Sequence, residues 1–146
     1  MKILYVAKHD CGDNQDEQAI AYALAQLGHD VVKIHEKPRH RTHNLLTERG
    51  DFLLFHKCED MTILKNPTPK AFWYFDLVDS EDPTLKPRAT SRVQWMRQFM
   101  PHCLVGFCTD GDWVEKCKQT YPNKLYHLMQ GADERMVGFG DRKSVV

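Results

Sequence analysis

Short apolar runs recur along this chain, and each one breaks on polar or ionisable groups. Residues 3–7 lead into His9 and Asp10, 31–34 into His35 and Glu36, and 52–55 into His56 and Lys57. Residues 71–75 lead into Asp76 and Asp79, 104–107 into Cys108 and Asp110, and 124–129 into Gln130 and Gly131. The stretch 71–75 carries no charge and is bounded by Pro69 and Asp76, which is the pattern of a strand buried on both faces, as in a parallel sheet.

Helical periodicity fills the gaps between these runs. Asn14 followed by Glu17 has the form of a capping box ahead of Ala19, Ile20, Ala23, Leu24 and Leu27 on one face. Gly28 supplies a left-handed stop, so the pattern predicts a helix over about 15–27. Residues 88–100 place Ala89, Val93, Met96 and Met100 on a stripe that Pro101 ends. Asp112 and Glu115 box a third helix carrying Trp113, Val114 and Cys117. Connectors 42–49 and 59–65 are weaker helical segments.

Strand and helix alternating with short links specify right-handed crossovers. The expected fold class is α/β, a three-layer Rossmann-like sandwich with a mostly parallel sheet of five or six strands. The expected boundaries are one such domain over 1–137 and a tail, or the start of an absent second domain, over 138–146, where Gly138 and Gly140 dilute the apolar content.

A chain of 146 residues buries roughly 68–70% of its unfolded surface, so neither metal nor disulfide is required to hold it together. Its formal net charge of zero argues against nucleic acid or an anionic membrane as the principal partner. The five cysteines form no C-x-x-C pair and are odd in number, which fits reduced thiols. The start of the chain has no signal-peptide pattern, and no apolar run approaches the ~18 residues of a membrane span. The expectation is a cytoplasmic protein.

Parallel sheets bind ligands just beyond the carboxyl ends of their strands, which makes the polar exits the candidate site. His9 is either a general base that orients and deprotonates a hydroxyl or a hydrogen-bonded loop histidine. The first crossover, residues 9–14, holds one glycine where a dinucleotide fingerprint needs three, and no P-loop is present. His40 and His43 are the only pair near metal-ligand spacing, and they lie among Lys37, Arg39 and Arg41, which oppose a cation. A solvated basic loop is the better reading, and no metal is expected. Cys11, Cys58 and Cys108 lack an evident base, and Trp73, Tyr74, Trp95 and Trp113 read as packing.

Several ordered blocks resemble the amino-terminal half of a GT-B glycosyltransferase, in particular the CgeB-like group of bacterial and phage sequences. They are residues 2–9, 27–31, 72–79 with 82–85, 106–113, and 130–134. The resemblance implies a Rossmann-like domain that binds the acceptor of a sugar-nucleotide-dependent transfer, partnered by a carboxyl-terminal donor-binding domain. It implies a small-molecule or glycan acceptor, a nucleotide-sugar donor for the complete enzyme, and no cofactor bound by this chain alone, which alone is expected to be inactive. His9, Asp76 and Asp79 are the candidate catalytic residues, deprotonating the acceptor if the parent enzyme inverts and positioning it if it retains. Asp10, His56, Lys57 and Asp110 are the candidate substrate-binding residues. The alternative reading is a non-catalytic metabolite-binding or regulatory protein on the same fold, with the exit histidines and Lys57 holding a small anion.

Overall fold

The connection between the first two strands carries α1 to one face of a parallel sheet, and every later connection runs on the opposite face. This is a computed structural model, and it describes residues 1–10, 16–56, 60–75, 78 and 86–129, the side chains of 86–91 excepted. The order is β1 (Lys2–Ala7), α1 (Asp16–Gln26), β2 (Asp30–His35), β3 (Phe52–Phe55), β4 (Lys70–Tyr74), α2 (Lys86–Phe99), β5 (Val105–Cys108), α3 (Gly111–Cys117) and β6 (Leu125–His127). Single 3-10 turns at Pro38–His40, Met61–Lys65 and Met100–His102 complete the connections.

The sheet has six strands in the order β2-β1-β3-β4-β5-β6, and every pairing is parallel. The expected α/β sandwich is therefore the observed one. The chain reverses its direction of travel at β1, which has β2 on one side and β3 on the other. That reversal makes the edge between β1 and β3 the topological switch point, the place where open parallel sheets generally hold their ligands.

Alternation along the strands divides the core into two layers. Leu4, Val6, Leu53, Phe55, Phe72 and Tyr74 face Met96 and Phe99 of α2 and Trp113, Val114 and Cys117 of α3. Ile3, Tyr5, Ala7, Leu54 and Ala71 face the other way, where Ala21, Ile20 and Leu24 of α1 pack. Each fully buried Leu or Phe in these layers is worth about 1.5–3 kcal/mol of transfer free energy.

Local chemistry explains where the helices stop and start. Gly28 adopts φ 80°, and the amides of Gly28 and His29 bond back to Ala25 and Leu24, the Schellman closure that glycine permits. The predicted apolar face of α1 is narrower than its sequence suggests. Ala21 is buried and Ile20 and Leu24 half-buried, whereas Ala23 is exposed and Leu27, past the end of the helix, is 72% exposed. The cap of α3 also differs from the expectation. Asp110, not Asp112, accepts from the Trp113 amide at 3.0 Å. The weak helical segment at 59–65 becomes the 3-10 turn Met61–Lys65, capped by Asp60. The segment 42–49 forms only a turn, in which the Asn44 carboxamide accepts from the Leu46 amide.

Candidate functional site

Tyr5 and Ala7 lie on the α1 side of β1. His9 sits in the turn two residues past the end of the strand, and its ring folds back to the Tyr5 carbonyl. Its Nε2 lies 3.0 Å from the Tyr5 carbonyl. A carbonyl can only accept, so Nε2 carries the proton and donates it. Nδ1 of the neutral ring then holds the lone pair, and this buried atom has no hydrogen-bond partner among the described residues. Burial lowers the His9 pKa from its ordinary value, with Lys33 and His35 adding repulsion, while the Tyr5 carbonyl and Asp10 pull the other way. A neutral imidazole keeps a lone pair able to accept a proton from a donor that reaches it.

The ring is held from beneath by Tyr5, whose own ring meets it edge-on at a centroid separation of 5.1 Å. Tyr5 is in turn tied to β3. Its hydroxyl lies 2.6 Å from His56 Nε2, and His56 Nδ1 lies 2.7 Å from the Trp73 carbonyl of β4. The carbonyl again fixes the tautomer: Nδ1–H donates to Trp73, and in the neutral ring Nε2 accepts from Tyr5. Burial, then the nearby Glu17 and Asp16, raise the Tyr5 pKa, so the phenol keeps its proton. His56 is covered by Phe75, ring to ring at 4.0 Å, and by Trp73 at 6.1 Å. The carboxyl ends of β1, β3 and β4 are thereby joined through one polar chain, His9–Tyr5–His56–Trp73.

The exit of β2 forms a second cluster beside the first. His35 Nδ1 accepts the Lys37 amide at 3.0 Å, so its Nε2–H faces Asp10 Oδ1 at 3.3 Å. The neutral ring's N–H thus lies beside the carboxylate without forming a full hydrogen bond. The contact with His35 nonetheless holds the exposed Asp10 carboxyl below the usual carboxylate range. His40 stacks on His35 at 4.8 Å.

Arg41 departs from the expected solvated basic loop. Its Nε donates to the His35 carbonyl at 2.6 Å, one terminal nitrogen donates to the Glu36 carbonyl, and the other pairs with Asp60. β2 and β3 flank β1, so this buried guanidinium ties together the connections leaving the two strands on either side of the switch point. Among the described residues no group of three His, Cys, Asp or Glu side chains is arranged to hold a metal ion.

The candidates from the sequence are thus placed unevenly. His9, Asp10 and His56 converge on the switch point. Asp110 sits two strands farther along the edge, with Oδ1 taken by the Trp113 amide and Oδ2 accepting from the Val78 amide at 2.9 Å. Lys57, Asp76 and Asp79 lie outside the described residues, as do Cys11 and Cys58. Burial raises the Cys108 thiol to about 12, the state of an inert core thiol.

Three contributors were not read from the sequence. Tyr5 carries a mild signal, a polar-tipped residue inside an otherwise apolar strand. Arg41 sits in a run of like charges that hides its partners. Gln18, whose Nε2 donates to the His9 carbonyl at 3.2 Å, shows none, because its role depends on which loop the helix faces.

The fold and site together define a doubly wound parallel α/β domain with a histidine-rich switch point. No protein-family model matches the chain, and no curated protein does either. No described helix is long and apolar enough to cross a membrane.

Proposed function

We propose that this chain is the acceptor-binding half of a sugar-nucleotide-dependent glycosyltransferase, with His9 as the group that takes the acceptor's proton. The observation that carries the reading is the Nδ1 of a neutral His9 at the topological switch point, buried and without a hydrogen-bond partner among the described residues. It occurs in a chain whose ordered sequence blocks resemble the acceptor domain of GT-B enzymes.

In an inverting transfer, the acceptor hydroxyl oxygen forms a bond to the anomeric carbon of the donor sugar. The bond from that carbon to the diphosphate breaks, its electron pair leaving with the nucleoside diphosphate. The hydroxyl proton passes to His9 Nδ1, and the resulting imidazolium keeps its Nε2–H on the Tyr5 carbonyl. Asp10, 43% exposed beside it, supplies negative charge that favours the imidazolium. The donor is held by a second domain, and Asp76 and Asp79 are further candidates for contact with the acceptor.

The test is release of nucleoside diphosphate from a panel of nucleotide sugars by the complete product of the native gene. His9→Ala is expected to lower kcat/KM by about 10²–10⁴-fold, the usual worth of a positioned base, with an unchanged melting temperature. Absence of turnover with every donor, or full transfer by His9→Ala, overturns the reading.

A further inference from the structure

Gln18 of α1 bonds to the loop carrying His9. Its Nε2 donates to the His9 carbonyl at 3.2 Å, and its Oε1 accepts from Lys33 Nζ at 2.7 Å. The two partners leave no ambiguity in the amide. A carbonyl cannot donate and an ammonium cannot accept, so the nitrogen faces His9 and the oxygen faces Lys33. Gln18 therefore bridges three elements: the first turns of α1, the exit of β1 and the middle of β2.

Without that bridge the side-chain tether that remains to His9 among the described residues, two residues past the end of β1, is the ring's own bond to the Tyr5 carbonyl. A single bond between Nε2 and a carbonyl four residues back leaves the loop free to pivot about it. Gln18 adds a second fixed point on the opposite end of the same residue. Two points define the direction in which Nδ1 is presented.

We propose that Gln18 is a positioning residue for His9, holding its backbone so that Nε2–H stays on Tyr5 and the direction of Nδ1 is fixed. The proposal rests on the reading of His9 as a base, and it adds the residue that aims it. Preorganisation of this kind matters because a base must lie within hydrogen-bond reach of the proton it takes. Lys33, held by the same amide, contributes a positive charge that opposes protonation of His9, alongside His35 of β2 and against Asp10.

The test is imidazole NMR on the ¹⁵N-labelled chain, with the His9 signals assigned by their loss in His9→Gln. In the wild type a protected Nε2–H proton is expected, with Nδ1 unprotonated at neutral pH and a titration midpoint below 6.5. Gln18→Met keeps the length and half-buried packing of the side chain and removes both bonds. It is expected to lose the protected proton and to raise the midpoint toward 6.5, with an unchanged circular dichroism spectrum. Lys33→Met is expected to raise the midpoint while retaining the protected proton.

A Gln18→Met spectrum identical to wild type at His9 overturns the proposal. A wild-type His9 protonated on Nδ1 overturns it without any variant, so a failure of Gln18→Met to fold leaves the proposal exposed. None of these signals depends on sugar transfer. An intact signature in a chain whose complete enzyme transfers no sugar overturns the functional reading and leaves the positioning role standing.

Discussion

The Tyr5 hydroxyl donates to His56 Nε2 across 2.6 Å at a place where the two residues are 0% and 4% exposed. Buried polar groups of this kind cost little when paired and much when one partner is removed. Tyr5→Phe keeps the ring, its edge contact with His9 and the backbone carbonyl, and removes the hydroxyl that donates to His56 Nε2. The expected loss of unfolding free energy is about 1–3 kcal/mol by urea denaturation. A variant as stable as wild type would mean that the pair is not formed.

The depressed pKa of His9 has a definite consequence for stability against pH. Unfolded histidine titrates near ~6.5, and the folded value lies below it. Between the two values the unfolded chain binds more protons than the native one, so stability rises with pH in that window. The contribution is complete above about 6.5 and is lost as pH falls toward the folded value. Asp10, Glu48 and Asp60 also have lowered values, but their contributions fade only as pH drops below the carboxylate range of about 4. Melting curves from pH 8 to 5 should therefore fall less steeply for His9→Gln than for wild type. Parallel curves would show that His9 titrates normally.

Asp110 holds two elements at once, capping α3 and fixing the Val78 amide beyond β4. Asp110→Ala is expected to cost about 1–2 kcal/mol for the cap, with a further penalty for the stranded Val78 amide. The measured quantity is the urea midpoint at constant slope. If the variant is as stable as wild type while acceptor KM rises in the complete enzyme, the carboxylate serves the ligand instead of the fold.

Arg41 and Asp60 make a pair with side-chain exposures of 8% and 16%. Removing one member of a buried pair costs about 3–5 kcal/mol, and the solvent contact of Asp60 places this one toward the lower end. Arg41→Met strips donors from the carbonyls of His35 and Glu36 as well. It is expected to lower the melting temperature and to speed backbone hydrogen exchange at His35 and Glu36. Wild-type exchange there would show that the guanidinium does not tie the connections flanking β1.

The apolar runs were legible because a parallel strand must be apolar on both faces, and that pattern survives without knowledge of its neighbours. The runs at 52–55 and 71–75 gave β3 and β4 within a residue at each end. The histidine exits were legible for the same reason, since parallel topology sends every exit to one edge. What the sequence withheld is which exits meet. The sheet order places His9 and His56 on adjacent strands and Asp110 two strands beyond, and no local signal encodes that order. The cap at Asp110 was misplaced by two residues because Asp110 and Asp112 carry the same chemistry. Only the extended backbone at 110 distinguishes them. Arg41 was hidden because a guanidinium that bonds to main-chain carbonyls has no partner visible in the side-chain sequence.

Two glycines set a contrast in how firmly the sheet is packed. A Cβ at Gly50 would lie 2.8 Å from the Lys2 carbonyl and 2.9 Å from Leu4 Cγ. That carbonyl is backbone at the start of β1 and already accepts the Asp51 amide at 2.8 Å, so it cannot retreat without unpairing the strand. A Cβ at Gly106 would lie 2.5 Å from Met100 Sδ and 3.1 Å from its Cε, atoms near the end of a flexible thioether that can change rotamer. The shorter distance therefore meets the softer obstacle. Overpacking costs about 1–3 kcal/mol, and Gly50→Ala is expected at the top of that range and Gly106→Ala near the bottom. Urea denaturation of both variants measures the order. A Gly106→Ala loss equal to or larger than that of Gly50→Ala would show that Met100, buried against α2 and β5, is held as rigidly as the strand itself.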